Sequence, residues 1–244
     1  MKINEEIKIF GFIGSPLQKR SNTYTLTKMM IDKLLEKNRA IEYSLFTAGD
    51  VNIQSCTGCW SCMTHGQCPL DKKDDMAFLK EEMMGSDLII WGSPVYALHV
   101  SGQMKTFLDR LVNWYHTLRL AGKSGVTVST TAGSGLEEVH QYLRLLLSVS
   151  GVKTIYSLDT IGTLPSTIVD PESAQKSADK AANEVYTFLN GEKRIESDKW
   201  LEYSFQKMKD KVMHKDALNA DYEYWKEHEM LEMNSFKELL QKKL

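Results

Sequence analysis

Short apolar runs alternate five times with helical patterns along the first 190 residues, and that alternation restricts the chain to a parallel sheet wrapped by helices. The strand candidates are residues 7–13, 41–46, 87–91, 126–131 and 154–161. The helix candidates are residues 24–35, 74–84, 103–115, 136–149 and 174–189. Runs such as IKIFGFI and DLIIW are apolar at nearly every position, as strands covered on both faces must be, whereas a half-exposed strand would alternate. The expected fold class is α/β, with a five-stranded parallel sheet between two helix layers. In open sheets of this kind ligands bind beyond the carboxyl ends of the strands, where strand order reverses. The segments that matter for function are therefore residues 14–22, 93–102 and 131–135.

After Gly191 the pattern changes. Residues 192–244 contain neither Gly nor Pro and place apolar side chains at helical spacing, for example Leu201, Phe205, Met208 and Val212. The expected division is a ligand-binding domain over 1–190 and a helical extension over 191–244. The extension carries Trp200, Tyr203, Phe205, Tyr222, Tyr224, Trp225 and Phe236, more apolar surface than an exposed helix tolerates. It reads as an arm that packs on a second copy, giving a homodimer or higher homo-oligomer; the alternative is a helix folded back on its own domain.

Thirty Lys and Arg against 32 Asp and Glu give a formal charge of −2, which supplies no basic footprint for nucleic acid or an anionic membrane. No apolar run approaches the roughly 20 residues that span a bilayer. Glu5, Glu6 and Lys8 interrupt the first apolar residues, unlike a secretory leader, so the expected location is the cytoplasm.

All four cysteines fall in one segment, as Cys56, Cys59, Cys62 and Cys68. A disulfide framework would be dispersed, so in a reducing compartment such a cluster points to metal binding or redox chemistry. Thiolates separated by two residues each wrap one side of a metal–sulfur cube, and Cys68 closes it. A ferredoxin run keeps three residues before its last Cys, which serves another cluster; here the gap is five and there is no second set. Structural zinc favours two separated knuckles. Thiols left empty or paired, and zinc, remain the alternatives.

The first loop, GSPLQKRSNT, offers Ser15, Ser21, Asn22 and Thr23 where a helix begins, a place that attracts anions. Gly11 and Gly14 do not complete a dinucleotide fingerprint, and Thr117 replaces the first Gly that a Walker loop ending in Gly122-Lys123-Ser124 would need. The second, SPVY, follows a buried strand with a Pro-stiffened turn ending in an aromatic. The third, Thr131 to Gly135, lets backbone approach a ligand closely. Taken singly, these loops read as helix capping, a turn with a core Tyr, and a flexible connection.

Together and in this order, the motifs resemble the flavodoxin-like NAD(P)H-dependent FMN reductase superfamily over residues 7–190. The cysteine segment, with the Lys73-Asp74-Asp75-Met76 that follows, is similar to the cluster loop of the iron-sulfur flavoproteins within it. The resemblance implies a flavodoxin-like fold and FMN, with Ser15, Ser21, Asn22 and Thr23 around its phosphate. It implies Pro94, Val95, Tyr96, Ala132, Gly133, Ser134 and Gly135 near the ribityl chain and ring. It further implies a [4Fe–4S] cluster on Cys56, Cys59, Cys62 and Cys68. His65 is a possible ligand, but with four Cys present it reads as a solvated loop residue.

The expected activity is electron relay between NAD(P)H or a reduced carrier and a small-molecule or protein acceptor. No nucleophile–base pair is expected, because cofactors carry such chemistry. An NAD(P)H-dependent FMN or quinone reductase without a cluster, and a flavin carrier or redox sensor without turnover, are the competing readings.

Overall fold

The computed structural model describes residues 6–214 and 219–243, so the leader expectation falls partly outside the described residues. The chain runs from β1 (Lys8–Ile13) through α1 (Asn22–Lys37), β2 (Glu42–Thr47), the single turn α2 (Ser61–Thr64) and α3 (Met76–Gly85) to β3 (Leu88–Tyr96). It continues through β4 (His99–Val100), α4 (Gly102–Asp109), α5 (Val112–His116), β5 (Ser124–Thr131), α6 (Leu136–Val149) and β6 (Lys153–Ile161) to α7 (Pro171–Leu189). Then come α8 (Lys199–Met213), α9 (Asn219–Glu227) and α10 (Phe236–Lys243).

Among the described residues the sheet has six strands, ordered β2-β1-β3-β5-β6 with β4 beside β3. Every pair on that path is parallel: Phe10 lies opposite Ser44 and Ile89, and Ile90 opposite Val126. The five-stranded parallel sheet is as expected, and the fold is flavodoxin-like. The antiparallel β4 is an addition, because β3 does not stop at Trp91. Gly92 and Pro94 read as turn signals in the sequence, yet the strand continues to Tyr96, with Pro94 opposite Thr130.

Burial on both faces explains the continuous apolar runs. On one face Phe10, Phe12, Ile89 and Trp91 pack with Leu79 and Met83 of α3, Met104 and Phe107 of α4, and Val139 and Leu143 of α6. On the other, Ile9, Leu88, Ile90, Val126 and Leu158 meet Leu26, Met30 and Leu34 of α1 and the small residues Ala174, Ala178, Ala181 and Ala182 of α7. The order reverses at β1: the chain steps outward to β2, then crosses to β3 on the other side. In sheets of this order the ligand position is above the carboxyl ends of the two strands flanking the reversal, here β1 and β3.

The helix expected over 103–115 is broken into α4 and α5 at Arg110–Leu111, where Arg110 turns inward to two carboxylates. The stripe of the C-terminal segment is covered from within the chain, as in the alternative of a segment folded back on its own domain. Leu201, Phe205, Val212, Trp225, Met230, Phe236 and Leu239 close on one another and on Leu118 and Ala121 of the connection before β5. Of the aromatic side chains read as an arm, Phe205, Tyr224, Trp225 and Phe236 are buried within their own chain, because α8, α9 and α10 supply each other's apolar partners. Trp200, Tyr203 and Tyr222 lie off this stripe and stay exposed. No helix among the described residues is long and apolar enough to cross a membrane.

Candidate functional site

The three loops read from the sequence meet at the reversal point. The first leaves β1 and is held against α4, where Ser101 Oγ donates to Gly14 O. A Cβ on Gly14 would fall 2.4 Å from the Cβ of Met104, so only glycine permits this approach. Ser15 and Ser21 are buried. Ser15 Oγ accepts from Leu17 N at 3.3 Å, and Ser21 Oγ caps α1 by accepting from Tyr24 N at 3.4 Å. The N–H groups of Asn22 and Thr23 open the helix and have no acceptor within it. With Lys19 and Arg20 exposed beside them, they make an anion-attracting turn.

Two of the expected phosphate side chains are occupied elsewhere. Thr23 Oγ1 is buried, 2.7 Å from Thr130 Oγ1, which leaves Thr23 its backbone N–H for a ligand. Asn22 Nδ2 donates to Leu164 O at 2.9 Å and to Thr167 O at 3.3 Å, which sets the orientation of the amide. Asn22 Oδ1 is buried without a donor partner, so the group it is fitted to receive is a hydroxyl or N–H, not a phosphate oxygen. The sequence reading missed the β6–α7 loop that Asn22 anchors. It lies on the first loop, with Ser166 N donating to Arg20 O at 2.9 Å. No turn motif links it to residues 14–22; the contact is purely tertiary.

The second segment is a tight hairpin, with Tyr96 opposite His99. Its two turn residues, Ala97 (φ 48°) and Leu98 (φ 64°), sit in the left-handed region where Asn and Gly are normally found. Tyr96 is exposed, unlike the core Tyr of the loop taken singly, and Pro94 and Val95 are half-buried. The hairpin leans on the third loop: Gly135 has φ 94°, and a Cβ there would fall 2.6 Å from Val95 Cγ1 and 3.0 Å from Leu98 Cα. Ala132, Gly133 and Ser134 are exposed on that loop. Thr131 Oγ1 shapes it, donating to Ser134 O at 2.7 Å and accepting from Gly133 N at 3.1 Å. Ser93 fastens the strands beneath, since its Oγ accepts from Ser101 N at 3.0 Å and its carbonyl from Ser129 Oγ at 3.0 Å.

The cysteine loop leaves β2 and returns at α3, and its stems are clasped by acids. Asn52 N donates to Asp75 Oδ2 at 2.7 Å and Gln54 N to Asp74 Oδ2 at 3.0 Å. Arg110, at the end of α4, donates to Asp74, to Asp71 Oδ1 at 2.7 Å and to Gln54 O at 2.9 Å. Burial pushes the Asp74 carboxyl up, but the bonds from Arg110 and from the Gln54 and Met76 N–H groups outweigh it and hold its pKa below the ordinary range. Within the loop, Gly58, Trp60 and Gly66 adopt positive φ and coil the chain tightly.

Cys56 and Cys59 are exposed, whereas Cys62 and Cys68 are half-buried and all four thiols are free. Cys62 and Cys68 line a cavity of about 330 Å³ with Lys80, Arg110, Asn113 and Trp114. N–H donation from Ser61 and a bond from Thr57 lower the Cys59 thiol pKa, while burial and the neighbouring Cys68 and Cys56 sulfurs raise that of Cys62. Among the described residues no three His, Cys, Asp or Glu side chains are gathered closely enough to hold a metal ion. The donor set suits an iron–sulfur cluster in chemistry, being four thiols on one clasped loop, two of them facing one cavity.

The sequence profile of the NADPH-dependent FMN reductase family matches residues 7–160. An iron-sulfur flavoprotein of Archaeoglobus fulgidus is 33% identical over 228 residues, which cover 91% of this chain and 98% of that one. Iron-sulfur flavoprotein MJ1083 of Methanocaldococcus jannaschii is 32% identical over 139 residues, 56% of this chain and 69% of its own. The solved structure of an NADH:FMN oxidoreductase in its apo form superimposes with a TM-score of 0.53 at 18% identity, over 72% of this chain and 87% of that one. RosB does so with a TM-score of 0.56 at 14% identity, over 76% of this chain and 79% of its own. At these identities the solved structures report the shared fold alone.

Proposed function

Since this chain belongs to the NADPH-dependent FMN reductase family and is an FMN oxidoreductase-like flavoprotein, we propose that it relays electrons between NAD(P)H or a reduced carrier and an acceptor through FMN and a [4Fe–4S] cluster. When bound, FMN supplies one- or two-electron chemistry and the cluster supplies one-electron transfer. The chain's own residues bind and orient. Ser15, Ser21 and the N–H groups of Asn22 and Thr23 hold the phosphate. Asn22 Oδ1 receives a donor, for which a ribityl hydroxyl is suited. Pro94, Val95, Tyr96, Ala132, Gly133, Ser134 and Gly135 bound the ribityl chain and ring, and Cys56, Cys59, Cys62 and Cys68 ligate the cluster.

The observation that carries this reading is the placement of α4. At its start, Ser101 is bonded to the first and second flavin loops; just past its end, Arg110 clasps the cysteine loop. Eight residues of helix, about 12 Å, separate the two ends. One rigid element thus supports both proposed centres.

The family profile over residues 7–160 supports placing flavin binding in residues 1–190, with 191–244 as a helical extension. Four free thiols fit a reducing cytoplasm. Exposed Tyr96, Leu98, Leu164 and Val169 offer apolar surface for a second copy in a homodimer. A flavin reductase whose thiols stay empty is the second reading, favoured by the lack of gathered ligands among the described residues.

Replacing Cys68 with Ala tests the choice. Under the proposal, anaerobically prepared variant loses most of its iron and keeps its FMN. Unchanged iron would refute Cys68 as a ligand, and FMN loss would show that the two sites are not separable as drawn.

A further inference from the structure

The C-terminal segment touches the cysteine loop. Ala220, in the first turn of α9, lies against Gly66: a Cβ on that glycine would be 3.7 Å from the Ala220 Cβ. Gly66 and Cys68 both line the cavity of the half-buried thiols. Beside this contact is a buried polar cluster that neither flavin binding nor sulfur ligation uses. Asp221, the next residue of α9, accepts from Asn113 Nδ2 at 2.9 Å and from His116 Nδ1 at 2.6 Å. Lys211 of α8 donates to His116 Nε2 at 2.8 Å, so Nε2 is the acceptor and the proton sits on Nδ1. Trp225 Nε1 donates to the His116 carbonyl at 2.8 Å. Asn113 belongs both to this cluster and to the wall of the cavity.

We propose that Asp221 and His116 are positioning residues of the cysteine site: their bond seats α9 behind Gly66 and Asn113, and so holds in place the part of the cavity wall these two residues supply beside Cys62 and Cys68. Cys56 and Cys59 are exposed and lie outside that wall. A buried carboxylate is costly unless its oxygens are matched by donors. The matched donors here lie on α5, so α9 has one favourable seat. The inference rests on reading the four thiols as one site, and iron content of the wild-type protein tests that reading separately.

The test is alkylation of the reduced, iron-free, FMN-loaded full-length chain with iodoacetamide, each cysteine followed by peptide mass spectrometry. In the wild type Cys56 and Cys59 should react first and Cys62 and Cys68 slowly. Asp221→Ala removes a charge-assisted bond, which should accelerate Cys62 and Cys68 by about tenfold and leave Cys56 and Cys59 unchanged. Unchanged rates at Cys62 and Cys68 overturn the proposal. If Asp221→Ala loses its flavin and exposes all four thiols, the milder pair decides. His116→Asn places an amide N–H where Nδ1 donates and should keep the wild-type pattern, whereas His116→Ala should selectively accelerate Cys62 and Cys68. A uniform rise at all four positions in His116→Ala, or none, overturns the proposal.

Discussion

Asp74 shows how a residue with no chemistry of its own can decide whether a site forms. Its side chain and that of Arg110 are fully buried, and together they join both stems of the cysteine loop to α4. Removing one member of such a pair strands the other, so Asp74→Ala should cost about 3 kcal/mol in chemical denaturation. The sign of the pH effect follows from the lowered pKa. A carboxyl held below its unfolded value, near 3.9, stabilises the native state fully above that value and loses its contribution as pH falls through the folded one. Asp74→Asn should therefore flatten the acid limb of stability below about pH 4, as followed by circular dichroism; an unchanged limb would remove Asp74 from the clasp. In the sequence Asp74 is legible as part of a motif, but Arg110 stands 36 positions further on and nothing in that spacing reveals that they meet. The same limit applies to Asn22 and Thr23. Their position at a helix start is visible locally, while their side-chain partners, Leu164, Thr167 and Thr130, are far away in the chain.

Among elements, the parallel strands and their helices were readable because each strand is buried on both faces and each helix carries one apolar stripe. The β3–β4 hairpin was not, since Pro94 and Gly92 imitate a loop and the turn is made by Ala97 and Leu98, neither a turn former. Two non-glycine residues at positive φ store strain of about 1 kcal/mol or more each. Exchanging them for Asn-Gly should relieve it, and Leu98 is exposed enough that little apolar burial is lost. The Ala97→Asn, Leu98→Gly chain is expected to melt several degrees higher without flavin than the parent does. If the hairpin bounds the flavin ring, FMN affinity should change in the same variant; an unaltered dissociation constant would move the ring away from the hairpin and Tyr96. The phosphate turn has its own check. Riboflavin, lacking the phosphate, should bind at least about a hundredfold more weakly than FMN, because charge-assisted bonds are lost. Equal affinity would contradict the assignment to Ser15, Ser21 and the opening of α1.

At the scale of the whole molecule, the C-terminal segment joins the rest through Leu118, Ala121, His116 and the cysteine loop. Its helical stripe was plain in the sequence; its partner was not, because periodicity tells that a face is buried and never what covers it. Ending the chain at Gly191 uncovers Leu118 and leaves Asn113 and His116 without Asp221. The truncated protein should unfold at lower urea than the full chain, and equal midpoints would show the segment to be dispensable for the core. The central claim, however, concerns two redox centres in one chain, and iron counting addresses it most directly. Full-length protein purified without oxygen, reconstituted with iron and sulfide and freed of excess metal, should hold about four irons per FMN, with a broad visible absorbance beneath the flavin bands that fades on reduction. Stoichiometric FMN with no bound iron after that treatment would contradict the account and leave a flavin reductase with four idle thiols.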